Sequence, residues 1–272
     1  MTIRLLSAAF ACAVLLAAPV HAADADDIAR LTDALNVGEM MSILRDEGMA
    51  EAEEIGAESF PGRVPATWSA RMEHIYDAAR LEAVFDEVFA TGMAEADAAP
   101  LIAFFESDLG REVVRLELTG RRAFISEDVE QAARDAWSEN DDSTRADQLA
   151  RFIEVNDLLE RNVSGALNST LAFYQGLAQE EMFAMSEEDM LREAWAQEGE
   201  IRNDTEGWLY AYLGMSYQPL SDHDLDTYID LSASAPGQAL NAALFEAFDR
   251  VFDDVSFRVG EAIAQLSGGE EL

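Results

Sequence analysis

Two histidines, one dense acidic run and a cluster of aromatic side chains are the residues of this chain that could do more than fold. His74 and His223 stand far apart in the sequence. Zinc hydrolases place two histidines on one helix face, as His-x-x-x-His or His-Glu-x-x-His, and neither spacing occurs. His74 reads as a structural histidine. Asp222-His223-Asp224-Leu225-Asp226 is dense in the oxygen ligands that calcium prefers, but a calcium-binding EF-hand loop needs glycine at its sixth position and an acid at its twelfth. Thr227 and Ala233 hold those places. The run fits a helix start capped by Ser221, with weak divalent-cation binding as an alternative. No Gly-x-Ser-x-Gly elbow, phosphate loop or dinucleotide fingerprint is present, and among 54 acidic residues nothing singles out a catalytic pair. No catalytic residue, cofactor or metal ligand is therefore assigned.

The aromatic cluster is Trp208, Tyr210, Tyr212 and Tyr217. Aromatic side chains commonly fill cores, so packing is the first expectation for it. The sharper one is a hydrophobic pocket or partner groove.

The elements that must position these residues are helical. Ala, Leu, Glu and Met are abundant, β-branched runs are absent, and no stretch alternates apolar with polar residues. The expected fold is all-α, an antiparallel helical bundle or set of hairpins in two related halves, without a sheet. Apolar spacing predicts helices over 24–35 and 37–58. It then predicts one long helix carrying Trp68, Met72, Ile75, Val84 and Phe89, with Pro65 in its first turn. A nearly heptad stripe from Leu149 to Leu177 suggests antiparallel packing, with Asn156 and Thr170 as polar interruptions. Gly207 and Gly214 are expected to bound an aromatic helix. The last helix should end near Gly268. The polar stretch Ser138–Ser143 reads as a linker between halves spanning 23–137 and 144–268, with 269–272 as a tail.

Each half contains a joint between a short and a long helix. The first is Phe104-Phe105-Glu106-Ser107-Asp108-Leu109-Gly110. The second is Leu231-Ser232-Ala233-Ser234-Ala235-Pro236-Gly237. Aligning Ser107 with Ser234, an offset of 127, also matches Gly110 with Gly237, Ile102 with Ile229 and Asp97 with Asp224. An internal repeat of this kind points to duplicated halves. The serine suits an N-cap, the glycine a close approach, and the paired aromatics burial against the long helix. A structural role is thus expected for Phe104, Phe105, Ser107, Gly110, Ser234, Pro236 and Gly237. This joint resembles the Phe-Tyr-x-Ser-Pro-x-Gly motif of the bacterial family catalogued as domain of unknown function 2059. The first copy has Phe105 for Tyr and Asp108 for Pro. The second has Ser232 in the aromatic place and Pro236 one position late. The resemblance implies an exported helical protein and carries over no catalytic residue.

Export is also expected from the leader. Arg4 precedes an apolar run from Leu5 to Ala18, and Val20-His21-Ala22 fits a cleavage site, so residues 1–22 read as a signal peptide. Cleavage removes Cys12, the one cysteine, leaving no disulfide or thiol chemistry. No transmembrane segment is expected afterwards. The net charge is −36, and all 18 basic residues are arginines. Such a surface repels nucleic acid and anionic lipid. The reading is an exported, periplasmic, non-enzymatic binding or interaction module of the cell envelope. Its partner would be an envelope protein or a small apolar ligand. The alternative is a carboxylate-dependent hydrolase of envelope polymer, for which two facing acids about 5–10 Å apart in a cleft would speak.

Overall fold

The computed structural model describes residues 23–140 and 143–268. The leader at 1–22, Asp141 and Asp142 of the expected linker, and the tail at 269–272 lie outside the described residues. Among the described residues there are thirteen α-helices and no strand, so the fold is all-α. They are α1 (Ala25–Ala34), α2 (Val37–Ser59), α3 (Trp68–Ile75), α4 (Ala78–Met93), α5 (Ala99–Phe105), α6 (Asp108–Ala123) and α7 (Glu127–Ser138). There follow α8 (Ser143–Val155), α9 (Leu158–Leu177), α10 (Glu187–Ala196), α11 (Glu198–Ser216), α12 (Asp222–Ala233) and α13 (Ala235–Gly268), with a 3-10 turn at Glu181–Phe183. None of these helices is long and apolar enough to cross a membrane.

Local chemistry explains six of the helix starts. A side-chain oxygen at the N-cap satisfies amide N–H groups that the first turn leaves free. Asp24 accepts from the N–H groups of Asp26 and Asp27. Ser186 accepts from Asp189 N at 3.1 Å, and Ser221 from Asp224 N at 3.2 Å. In both, the serine hydroxyl also donates back to the aspartate at 2.6 Å, closing a reciprocal cap.

Four expectations about element boundaries are corrected. The long helix through Trp68 and Phe89 is two helices: Tyr76 breaks it, and Asp77 caps α4 by accepting from Arg80 N at 2.9 Å. Pro65 precedes α3 and is not within it. The stripe from Leu149 to Leu177 is likewise divided, because Asp157 takes a left-handed conformation (φ 52°) between α8 and α9. Asp tolerates that conformation better than most residues, since its short polar side chain can bond locally. In both cases the apolar spacing runs on across the break and conceals it. Gly207 and Gly214 bound nothing; they lie inside α11 and make room for Arg134 and Trp137 of α7.

α13 organises the packing. At 34 residues it is about 51 Å long at 1.5 Å per residue. Arg80 pairs with Asp254, Phe85 packs on Phe248, and Gly92 meets Ala243. Rising numbers on α4 thus meet falling numbers on α13, so these two helices are antiparallel. On the other side Gly165 meets Asp249, Ser169 donates to Asp253, and Gly176 meets Phe257. Those numbers rise together, so α9 runs parallel to α13, and the antiparallel packing expected for its stripe does not hold at this contact. Gly176 and Gly260 let the backbones touch. A Cβ on Gly176 would fall 2.0 Å from the Phe257 carbonyl, and one on Gly260 2.3 Å from the Phe173 carbonyl.

One core joins Phe85, Phe89 and Met93 to Val251, Val255 and Val259, so residues from before and after the expected linker are buried together. A second core gathers Val113, Leu149, Phe152, Leu213, Tyr217 and Ile229. The space between α13 and α11, α6 and α12 is left for the site.

Candidate functional site

Helices α6, α9, α11, α12 and α13 enclose a cavity of about 550 Å³. α11 contributes Trp208 and Tyr212, four residues apart and so on one side of the helix, and Tyr217 follows just past its end. α13 contributes Leu240, Leu244, Phe245, Phe248 and Phe252 by the same periodicity. α9 faces them with Gly165, Ala166 and Ser169, small residues that keep the space open. Of the lining residues, Asn162 and Phe252 are exposed, which marks their end as the mouth. Phe152 and Tyr217 are buried at the floor.

The floor holds a carboxyl group. Glu117 of α6 lies on the buried side of its helix, between Val113 and Gly120. Protein surrounds it, and the surface it retains faces the cavity. The Tyr217 hydroxyl donates to Glu117 Oε1 at 2.5 Å and the Tyr228 hydroxyl donates to the same oxygen at 3.2 Å. The Tyr212 hydroxyl donates to the Glu117 backbone carbonyl at 2.9 Å. Burial lifts the Glu117 carboxyl above the ordinary carboxylate range, and the two tyrosine hydroxyls partly oppose that. Burial, and the nearby carboxylate, push the Tyr217 and Tyr228 phenols well above their usual range, so they are fixed as donors.

Beside this knot, Arg121 of α6 is already committed. Its Nε and Nη2 donate to the two carboxylate oxygens of Glu47 at 2.6 and 2.7 Å, and its guanidinium sits 5.3 Å from the Trp208 ring centroid. That is bidentate pairing plus a cation–π contact. Nearer the mouth, Asp249 of α13 is half-buried, and its carboxyl is pushed up to about 6. Burial is the main cause, Asp253 adds to it, and Arg161 opposes it.

The aromatic residues named from sequence divide. Trp208, Tyr212 and Tyr217 line the cavity. Tyr210 points the other way and stacks on Trp137, with ring centroids 5.4 Å apart. The two joints meet at this site. Phe104 stacks on Tyr228 of α12 at 5.6 Å, and Phe105 meets the same ring edge-on at 6.4 Å. Phe105, Leu231, Ser232 and Gly237 all line the cavity. The remaining joint residues are structural. Ser107 accepts from Gly110 N at 3.0 Å and Ser234 from Gly237 N at 3.2 Å, and Pro236 lies in the first turn of α13.

Glu117, Arg121, Tyr228 and Asp249 are absent from the residues singled out by sequence. A signal existed for both acids, since each breaks an otherwise apolar stripe: Val113–Glu117–Phe124 along α6 and its C-cap, and Phe245–Asp249–Phe252 on α13. His74 and His223 are exposed on separate helices. Among the described residues, no group of three or more His, Cys, Asp or Glu side chains converges as a metal site would require.

Comparison of the chain with protein-family models, curated proteins and solved structures finds no match.

Proposed function

We propose that this chain is an exported, periplasmic, non-enzymatic binding module of the cell envelope that takes a small apolar ligand into the cavity. One observation carries the reading: a space of about 550 Å³ walled by aromatic and aliphatic side chains, with a few polar groups gathered at its floor. Ligand sites have this size and balance, roughly 300–1,000 Å³ of apolar wall with a few placed polar atoms. The leader and the resemblance of the joint Phe104–Gly110 to the domain of unknown function 2059 family support export and the envelope setting.

The test is titration of the mature chain with N-phenyl-1-naphthylamine, an uncharged dye that brightens in apolar surroundings. Saturable one-to-one binding is expected, with energy transfer from Trp208 that Trp208→Phe reduces. Leu244→Trp, which fills the cavity, should abolish it. Absence of saturable binding would remove the reading.

A second reading has one observation in its favour. Glu117 and Asp249, two carboxyls whose pKa burial raises, line the same space. Glycoside hydrolysis uses a carboxyl pair in which one member, its pKa raised, serves as the general acid. Incubation with purified envelope polymer decides it: release of soluble fragments that Glu117→Gln eliminates would replace the binding module with a hydrolase.

A further inference from the structure

We infer that the cavity selects an alkylammonium ligand, an apolar chain with a cationic nitrogen seated against Glu117. The inference rests on the binding reading and adds the chemistry of the ligand's head. Three observations carry it.

The first is the charge left over in the lining. Arg121 is the lining cation, and its Nε and Nη2 are taken by the Glu47 carboxylate. The other charged lining groups are the carboxyls of Glu117 and Asp249. Arg161 opposes Asp249 from outside the lining and lies over the Phe245 ring at 5.3 Å; its Nε is 3.9 Å from an Asp157 oxygen and makes no hydrogen bond among the described residues. An anionic head at the floor would therefore lose its water beside Glu117, where the lining cation is already paired.

The second is the hydrogen bonding of Glu117. Both tyrosine hydroxyls go to Oε1. Oε2 receives no hydrogen bond among the described residues, so one carboxylate oxygen remains to accept from a ligand N–H. The third is the ring arrangement around it. Phe152 meets Tyr217 edge-on at 5.6 Å and packs against Tyr228 at 5.3 Å, while Phe105 closes on Tyr228 from another helix. A desolvated ammonium seated among these rings is attracted wherever it meets a ring face. The floor thus offers the head a carboxylate oxygen among aromatic rings, and the wall of α13 offers the tail Leu244 and Phe248.

The test compares three ten-carbon probes with one tail and different heads: decylammonium, decanol and decanoate. Each competes with N-phenyl-1-naphthylamine for the mature chain in 0.3 M salt, which shortens the reach of the acidic surface to a few ångströms. Decylammonium should displace the dye at a concentration at least about tenfold below decanol, with decanoate weakest. Glu117→Gln leaves the surface charge nearly unchanged and should collapse the ammonium-to-alcohol ratio. Equal displacement by ammonium and alcohol in the unmutated chain overturns the inference and leaves the binding reading intact. A preference that survives Glu117→Gln also overturns it, because the selectivity would then come from the surface. Should Glu117→Gln not fold, the ratio in the unmutated chain decides alone. If the dye itself does not bind, it is the binding reading that falls.

Discussion

Asp249 and Glu117 are costly residues in physical terms, since each places a carboxyl where its charged form is poorly solvated. The cost has a sign that can be measured. Asp249 in the folded chain holds its proton up to about pH 6, whereas in the unfolded chain it releases it near pH 4. Between those values the folded state binds more protons than the unfolded state, so stability falls as pH rises and stays reduced above the window. Glu117 acts in the same direction. Asp249→Asn removes the Asp249 contribution. Its melting temperature relative to the unmutated chain should therefore be higher at pH 7.5 than at pH 4.5, as followed by circular dichroism. The same difference at both pH values would show that Asp249 titrates normally. A group retained at such cost suits a site more than a scaffold, which is how the two acids support the cavity as the functional region.

At the scale of elements, the two joints share one construction. In each, a serine caps the long helix and a glycine three places on lies against the end of the short helix before it. A Cβ on Gly110 would fall 2.0 Å from the Phe104 carbonyl, and one on Gly237 2.1 Å from the Leu231 carbonyl. Backbone cannot yield as a flexible side chain does, so Gly110→Leu should destabilise the chain by about 1–3 kcal/mol. At about 2–4 °C per kcal/mol for a chain of this size, the melting temperature should drop measurably. An unchanged melting temperature would mean that α5 and α6 are free to separate. These joints were legible in the sequence because capping is local: Ser107, Ser186, Ser221 and Ser234 each carry their partner three residues on. The breaks at Tyr76 and Asp157 were not, because apolar spacing continues through them and only the backbone turns. The cavity was half legible. Trp208, Tyr212 and Tyr217 declared themselves by type and spacing, but Tyr210 fits the same composition and faces away. Glu117 was one acid among 54. What sets it apart is the tyrosines it meets, and those come from α11 and α12, 95 to 111 residues further along the chain. The parallel run of α9 beside α13 was equally out of reach, since a stripe records which side is buried and not the direction of the neighbour.

At the scale of the molecule, a strongly acidic surface surrounds cores that are mostly apolar. The net charge of −36 opposes compaction, and the arginines answer it at chosen places. Arg80 with Asp254 and Arg121 with Glu47 are the most enclosed of the cross-helix pairs; the first joins the segments before and after 138–143, and the second ties α6 to α2. α13 does the larger part of this joining. Its buried side, from Ala247 through Val251 and Val259 to Ala264, is enclosed by α4 on one flank and α9 on the other. The consequence is one of order in time. Backbone amides at the middle of α13 can reach deuterated water only when both flanking helices leave, which amounts to unfolding the whole chain. They should be the slowest to exchange, at the rate set by global stability. Met182 and Trp195, exposed on the turn and helix near α9, lie in a region that can open alone, and amides there should exchange by brief local excursions. Mass-spectrometric exchange that found both regions equally fast would show that α13 frays independently. Otherwise the last helix made is also the last to let go.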